Sequence, residues 1–180
     1  MALTATIFKA ELQIADMDRG HYASHSLTVA RHPSETDERM MVRLLAFALH
    51  ADERLAFTKG LSSEDEEPDL WQKSLTGEVE LWVEVGLPDE RHLRKACRRS
   101  GAVVVYAYGG RAVASWWQKL EPAVREFENL RVFELPFDAT QALTSLVART
   151  MHLQCTVQEG QVWLVGNDGQ TVFVELRALK

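Results

Sequence analysis

The chain has 180 residues, a net charge of −6 and an apolar fraction of 46%, which are ordinary values for a globular protein of one domain. The negative charge argues against a general affinity for nucleic acid, and no stretch approaches the ~20 apolar residues of a membrane span. The N-terminus lacks the basic start of a signal peptide. Since Cys97 and Cys155 are the only cysteines, without zinc-type spacing, we expect two reduced, buried thiols in a cytoplasmic protein.

The first thirty residues predict a β-hairpin. Residues 4–14 alternate between apolar and polar side chains, and after a turn-forming segment residues 21–30 predict a strand that pairs back. His21 and His25 would share one face of this second strand. Without the signal of a third ligand, we interpret them as ordinary strand residues.

A helix follows the hairpin and runs to about residue 51. Ser34 and Asp37 resemble a capping pair at its start. Glu38 lies at the N-terminal end of the apolar stripe, where a carboxylate costs desolvation energy unless it is paired, and it is a predicted catalytic residue. The alternative is a solvated Glu38 that is stabilised by the helix dipole.

The next segment leads to the strand that is most informative about function. Residues 55–58 predict a short strand, and the acidic stretch 62–69 predicts a loop. Residues 78–86 predict a strand whose odd positions are apolar, while its even positions carry Glu80, Trp82 and Glu84 on the opposite face.

Strands and helices then alternate. A helix begins at residues 88–90 with a proline and two acids, and residues 102–108 are a continuous apolar run, typical of a strand covered on both faces. A strand, a helix and a strand of these lengths imply a parallel crossover. Further along we predict a helix to about Leu120, a strand over residues 130–135, and a helix over 138–148 that is capped by Asp138.

The last thirty residues predict a three-stranded meander, over residues 151–157, 162–165 and 171–176. We therefore predict a mixed α/β (α+β) fold in a single domain, residues 1–180, with a core over residues 34–135. The hairpin (3–31) and the meander (150–178) are expected to extend one larger mixed sheet.

The candidate catalytic residues are two carboxylates in the middle of the sequence. Pro68-Asp69 is followed, after fourteen residues, by Glu84-Val85-Gly86. Two nearby carboxylates bind a divalent cation such as Mg²⁺ or Mn²⁺, which activates water against a phosphodiester. Nucleases of the PD-(D/E)xK class use this pattern, with Asp69 and Glu84 here as metal ligands. They place a lysine at the position of Gly86, so Lys95 or Lys73 would have to replace it.

The competing interpretation of the same two acids is purely structural. Asp69 would cap a short helix that includes Trp71, and Glu84 would pair with an arginine. Buried carboxylates with such partners are common in protein interiors.

Basic side chains follow the second acid and suggest a nucleic-acid surface. Arg91, Arg94 and Arg98, with Lys95 and Arg99 between and after them, would lie along a DNA or RNA backbone, and Arg111 would join them. The alternative is a solvated helix face with favourable end charges. The turn Tyr108-Gly109-Gly110-Arg111 suits a phosphate cradle, although a plain tight turn also explains it.

Over nearly its whole length the sequence resembles the YaeQ family. The resemblance rests on ATIFKA at residues 5–10, LTVARHPSET at 27–36, ERMM at 38–41, ADERL at 51–55 and LWVEVGLPDE at 81–90. It also includes Arg111-Ala112, Trp116-Trp117 and Arg149-Thr150-Met151.

This resemblance implies a variant of the restriction-endonuclease-like fold in a small cytoplasmic protein of bacterial type. It implies no established activity. Two functions therefore stay open: a nuclease that depends on Mg²⁺ or Mn²⁺, and a catalytically inactive protein that binds nucleic acid or a protein partner.

Overall fold

The structure is a computed structural model, and it describes residues 4–58 and 67–180. Within these residues it contains two mixed β-sheets and four α-helices, which confirms the predicted mixed class. Most of the predicted acidic loop, including Glu64, Asp65 and Glu66, lies outside the described residues. No helix in the described part combines the length and the apolar character that crossing a membrane requires.

The elements follow the predicted order closely. In chain order they are β1 (Thr6–Asp16), β2 (His21–Arg31), α1 (Asp37–His50), β3 (Leu55–Phe57), β4 (Leu70–Lys73), β5 (Val79–Val85), α2 (Glu90–Arg99), β6 (Ser100–Ala107), α3 (Arg111–Val124), β7 (Leu130–Glu134), α4 (Phe137–Leu143), β8 (Thr150–Gln158), β9 (Gln161–Val165), β10 (Thr171–Glu175) and β11 (Arg177–Ala178). A short 3-10 helix, Thr144–Leu146, follows α4.

The hairpin and the meander form a sheet of their own, in the order β10-β9-β8-β1-β2. The expectation that they extend one larger sheet is therefore wrong. β1 pairs in parallel with β8, from Lys9 opposite Thr150 to Asp16 opposite Val157. Both strands bury every second side chain on one face, and pairing them joins two apolar faces into one continuous layer.

The second sheet has the order β11-β7-β6-β5-β4-β3. Its strands β5, β6 and β7 are parallel and are connected by α2 and α3, which confirms the predicted crossover. Both faces of β5 are covered towards its carboxyl end: Val83 packs in the core shared with α1, and Trp82 packs in the core under α2 and α3. Glu84 lies on the same face as Trp82.

Helix α1 is the centre of the larger core. Every residue from Met40 to Leu49 is buried, and the same apolar cluster contains side chains of both sheets. Its N-cap is Thr36, whose hydroxyl accepts a hydrogen bond from the Arg39 N–H at 3.1 Å, and not Ser34. The chain makes a turn first, from His32 to Glu35, so the helix begins two residues later than the sequence pattern predicts.

Three further helix boundaries differ from the predictions. One is the end of α4, which stops at Leu143 and is followed by the 3-10 helix to Leu146, whereas the prediction extended the helix to residue 148. Helix α3 continues past Leu120 to Val124 and includes Pro122 in its last turn. Helix α4 begins at Phe137 after Pro136, so Asp138 lies in the first turn of the helix and is not its cap.

Candidate functional site

The predicted carboxylates Asp69, Glu84 and Glu38 approach the carboxyl end of β5 from three elements. β4 runs antiparallel to β5, with Leu70 opposite Val83, so Asp69 reaches this end of the strand. Glu38 lies in the first turn of α1. Tyr108, directly after β6, is close to the group: burial raises the pKa of its phenol to about 12, and the charges of Glu38 and Asp69 contribute.

Asp69 is almost fully buried, and both of its carboxylate oxygens have donors. Oδ2 accepts the backbone N–H of Val85 at 2.8 Å, and Oδ1 accepts a hydrogen bond from Nη2 of Arg39. Asp69 is 7% exposed. The interpretation in which it caps a helix around Trp71 is wrong, because Trp71 lies on β4.

Arg39 connects Asp69 to a second ion pair. Its Nη1 donates to Glu35 at 3.1 Å, and Glu35 in turn accepts two hydrogen bonds of 2.7 Å from Arg43. Arg43 also donates to the Ala30 carbonyl at 2.9 Å. Burial lowers the pKa of Arg39, but Asp69 and Glu35 outweigh it, so the pKa is raised and the guanidinium stays charged.

This arginine network was not predicted from the sequence. The signal was available, because Glu35, Arg39 and Arg43 recur every fourth residue and such positions lie on one face of a helix. This spacing gives no indication that Asp69, thirty residues after Arg39 in the sequence, accepts a hydrogen bond from the same arginine.

Glu84 is held by two donors of its own, and neither is an arginine. Its Oε1 accepts the indole N–H of Trp82 at 2.8 Å and contacts Nε2 of His92. Burial raises the pKa of Glu84, and the charge of Asp69 adds to the rise, whereas His92 and Trp82 oppose it. The predicted ion pair of Glu84 with an arginine is wrong: the arginine pairs with Asp69.

His92 is the second functional residue that sequence reasoning missed. Helix α2 is capped by Asp89, which accepts the N–H of His92 at 2.8 Å. Helix α2 begins only five residues after the end of β5, so its first turn lies over the carboxyl end of that strand. His92, the third residue of α2, therefore contacts Glu84. Glu84 and His92 line a pocket of about 270 Å³, together with Val85, Leu87, Pro88 and Asp89.

Glu38 is half-buried and presents an unpaired oxygen. Its Oε1 is buried and has no hydrogen-bond partner in the described part of the chain. An unpaired buried polar atom costs about 1–3 kcal/mol. The solvated Glu38 of the alternative interpretation does not match this geometry.

The cluster does not fit a divalent cation as it stands. Mg²⁺ and Mn²⁺ need open carboxylate oxygens. Both oxygens of Asp69 are engaged, Oε1 of Glu84 has two partners, and only Glu38 offers an unpaired buried oxygen. Among residues 4–58 and 67–180, no three His, Cys, Asp or Glu side chains are grouped to hold a metal. The metal site of Asp69 and Glu84 therefore stays a prediction that this arrangement does not favour.

The two lysines expected to replace the missing side chain at Gly86 lie elsewhere. Lys95 lines the outer surface of α2 and is absent from the lining of the pocket at Glu84. Lys73 lies at the far end of β4, where its Nζ is 3.7 Å from the centre of the Trp71 ring.

The predicted basic surface lies on α2. Arg91, Arg98 and Arg99 are exposed and make no ion pair with any described residue. Arg94 is different, because it forms ion pairs of 2.8 Å with Glu90 and Glu126. These side chains surround a groove of about 590 Å³, lined by Glu90, Arg91, Arg94, Lys95, Arg98 and Arg99.

Arg111 lies at the sheet edge where α2 begins. β5 and β6 are parallel, so the helices that follow them, α2 and α3, begin at the same edge, and Arg111 is the exposed first residue of α3. In the turn before it, Gly109 and Gly110 have positive φ angles of 126° and 66°. A Cβ on Gly110 would lie 3.4 Å from the Phe137 ring, so backbone geometry and packing explain this turn.

Comparison with known proteins identifies the family. The YaeQ protein family matches residues 1–176. An uncharacterised YaeQ protein of Escherichia coli (strain K12) is 46% identical over 178 residues, 99% of this chain and 97% of its own. The corresponding protein of Salmonella typhi is 49% identical over 164 residues, 91% of this chain and 90% of its own.

Two solved structures share the fold. The crystal structure of a YaeQ protein from Xanthomonas axonopodis pv. citri has a TM-score of 0.94 and 52% identity, and covers 98% of this chain and 99% of its own. That of a YaeQ protein from Pseudomonas syringae has a TM-score of 0.91 and 40% identity, and covers 98% and 96%. The chain therefore belongs to the YaeQ family, as its sequence motifs predict.

Proposed function

We propose that this protein binds the phosphate backbone of DNA or RNA through the exposed face of α2 and does not cleave it. The observation that carries the proposal is the contrast in charge. The chain as a whole has a net charge of −6, yet α2 exposes Arg91, Arg98 and Arg99 without ion pairs to any described residue. Phosphate contacts by lysine and arginine supply most of the affinity in sequence-independent binding.

The state of the carboxylates supports binding without cleavage. The order α1, β4, β5, α2, β6 and the spacing of the acids resemble the pattern that the sequence analysis associates with nucleases of the PD-(D/E)xK type. Here, however, Arg39 pairs with Asp69, His92 contacts Glu84, and residue 86 has no side chain. A protein cation therefore holds the carboxylate that a metal ion would need.

We assign this role to the cytoplasm. Cys97 and Cys155 are free thiols, both buried, and burial raises their pKa values to about 11 and about 12. Unpaired, unreactive cysteines are typical of a reducing compartment.

The test compares two double variants that remove the same charge. Arg98→Gln with Arg99→Gln removes two charges from α2, and Lys9→Gln with Arg177→Gln removes two exposed charges elsewhere. Binding to duplex and single-stranded DNA and to RNA is measured against salt concentration. We expect the salt slope to fall by about 2 in the α2 variant only, one for each lost phosphate contact.

Two results would reject the proposal. One is the absence of binding at low salt. The other is an equal loss of affinity in the two double variants, because it would show a general effect of net charge and no defined surface.

A second function, cleavage that depends on Mg²⁺ or Mn²⁺, is favoured by one observation. The unpaired buried Oε1 of Glu38 is a potential metal ligand, and the charges of both Glu38 and Asp69 act on the phenol of Tyr108. The same nucleic acids are incubated with Mn²⁺ and the wild-type protein, Glu38→Gln or Glu84→Gln. Cleavage that both variants abolish would select the nuclease. The absence of cleavage on every substrate, with binding intact, would leave the binding function.

A further inference from the structure

Strand β2 forms one edge of the first sheet, and this edge is long and unprotected. Its 11 residues pair with β1 over their full length, from His21 opposite Asp16 to Arg31 opposite Thr6, without a bulge. The other three edge strands, β10, β3 and β11, have only five, three and two residues. Proteins usually prevent the pairing of an edge with another sheet by a short strand, a proline, a lysine or a bulge, and β2 has none of these.

The main-chain groups of every second residue of β2 point away from the sheet. Lys9 on β1 donates its N–H to the Arg149 carbonyl, towards β8, so its partner Thr28 makes no main-chain hydrogen bond with β1. The N–H and C=O of Thr28 therefore point outward, and alternation along the strand gives the same direction to Tyr22, Ser24, Ser26 and Ala30. Among the described residues, only Arg43 donates a hydrogen bond to this edge, at the carbonyl of Ala30.

We propose that this edge of β2 pairs with the same edge of a second copy of the chain. A twofold axis at Ser26, the middle residue of β2, makes the two strands antiparallel, with Ser24 opposite Thr28 and Tyr22 opposite Ala30. All of these residues direct their N–H and C=O groups towards the partner, which gives about ten main-chain hydrogen bonds, as many as a typical specific interface has. The carbonyl of Ala30 has a second lone pair for this bond. The two five-stranded sheets then form one continuous sheet.

The side chains on the outer face favour a second copy as the partner. Small hydroxyl side chains meet each other in this register, and cross-strand pairs of this type stabilise a sheet. Tyr22 is 66% exposed in the single chain and packs over the small side chain of Ala30 of the partner. The one permanent charge of the strand, Arg31, lies at the end of the ladder opposite His21 of the partner, and it is already paired with Asp37. No two permanent charges of like sign therefore stand opposite each other.

The side chains on the inner face also gain from this pairing. Leu27 packs against the larger core but stays half-buried, as does His25. The register places Leu27 opposite His25 of the partner in a pair without main-chain hydrogen bonds, where side chains are closest. The second copy therefore covers apolar surface that β2 alone leaves in contact with water. The interface is independent of the proposed nucleic-acid surface, because α2 packs on the other sheet.

The first experiment measures the mass of the full-length protein in solution by analytical ultracentrifugation, over a range of micromolar concentrations. Ser26→Pro removes an outward N–H without breaking a hydrogen bond to β1. Ser26→Ala is the matched control, because it loses only the hydroxyl that donates to Glu11. We expect a dimer for the wild type and for Ser26→Ala. In Ser26→Pro the dissociation constant should rise at least about tenfold, since two main-chain hydrogen bonds are lost.

The second experiment tests the register by oxidation of a single introduced thiol. Two hydrogen-bonded residues that face each other on antiparallel strands have Cα atoms about 5.5 Å apart, which suits a disulfide. Ser26→Cys lies on the twofold axis and should form a covalent dimer. Ser24→Cys lies four residues along the strand from the same position of the partner, more than about 13 Å away, and should not. The native Cys97 and Cys155 are buried and do not compete.

Three results would overturn the proposal. One is a monomeric wild type at every concentration, and another is a dimer that Ser26→Pro leaves as stable as before. The third is equal cross-linking of Ser24→Cys and Ser26→Cys, which would show random collision and no defined register. Circular dichroism checks the fold of each variant, and if Ser26→Pro does not fold, the two cysteine variants decide.

Discussion

The two ends of helix α1 satisfy buried polar groups in opposite ways. The N-terminal half neutralises charge with charge, through the pairs Glu35–Arg43 and Arg39–Asp69. At the C-terminal end, the half-buried His50 contacts the hydroxyl of the buried Tyr106 at 2.7 Å. Burial lowers the pKa of His50 to about 4 and raises the pKa of Tyr106, so this pair is neutral.

Because one end of α1 holds charged pairs and the other a neutral pair, we expect the two ends to be destabilised by different changes. Removing one partner of a buried ion pair lowers the stability of the fold, because the remaining buried charge is no longer fully compensated. A neutral imidazole that is buried in the folded state lowers the stability of the fold at acidic pH, because protonation is favoured in the unfolded chain.

Removal of Arg43 should have the largest effect on stability. Arg43→Met keeps the volume of the side chain but leaves two buried carboxylates, Glu35 and Asp69, with one guanidinium, that of Arg39, between them. The side chains of Arg43 and Glu35 are only 3% and 2% exposed. We expect a loss of about 3–5 kcal/mol in the free energy of unfolding, measured by urea denaturation.

The matched control removes an exposed pair of the same type. In Arg54→Met the lost partner is Glu80, and both side chains are 43% exposed. We expect a loss of no more than about 1 kcal/mol. Equal losses in the two variants would remove the distinction between buried and exposed charge pairs here.

Acid should act on the other end of α1, through His50. The folded protein holds fewer protons at His50 than the unfolded chain between pH 6.5 and about 4, so stability falls as the pH falls through this range. The contribution is about 3 kcal/mol, fully present above pH 6.5 and lost below about pH 4.

His50→Gln provides the comparison, since the amide keeps an acceptor for Tyr106 but does not titrate. Urea denaturation of both proteins across this pH range should show a steeper loss for the wild type. Parallel curves for wild type and variant would contradict a neutral His50.

The smallest effect is expected at Glu84, and it has the opposite sign with pH. Burial raises the pKa of Glu84 above its usual 4.5, so the folded protein holds this proton more tightly than the unfolded chain. The stability that the protonated form contributes is therefore lost as the pH rises through the folded-state pKa. Hydrogen bonds from Trp82 and His92 oppose the shift, which keeps the effect small.

Glu84→Gln isolates this contribution. The variant should gain stability relative to the wild type as the pH rises from about 4 to about 7, in the same denaturation experiment. Trp82→Phe serves as a control on the hydrogen bond, because it removes the indole donor but leaves the carboxyl. A gain that is independent of pH would show that Glu84 titrates as it does in water.

Local patterns in the sequence predicted most of the secondary structure. Alternation identified β1, β2 and the meander, and the proline and acids at residues 88–90 identified the start of α2. The predicted capping residues were wrong: Ser34 and Asp138 each have the right chemistry, but each stands two residues from the observed N-cap, Thr36 and Pro136 respectively. A short loop shifts a boundary without changing the pattern.

Three carboxylates of the candidate site were predicted but their pairings were not, and Lys95, the fourth predicted catalytic residue, lines the outer surface of α2. Asp69, Glu84 and Glu38 do approach the same strand end, whereas Arg39 and His92, which hold the first two, were not anticipated. The partner of a buried charge is chosen by packing between elements that are distant in sequence. A local pattern of residues therefore does not show which side chain will pair with a buried charge.

The sequence by itself therefore determined the family, the element order and the residues that come together at the end of β5. Hydrophobic period and turn chemistry are local properties, and they survive in any fold that the chain adopts. Only the tertiary structure decided that the hairpin and the meander form their own sheet, that Arg39 neutralises Asp69, and that the rings of His21 and His25 meet. These are long-range contacts, set by how whole apolar faces pack, and apolar burial is not directional.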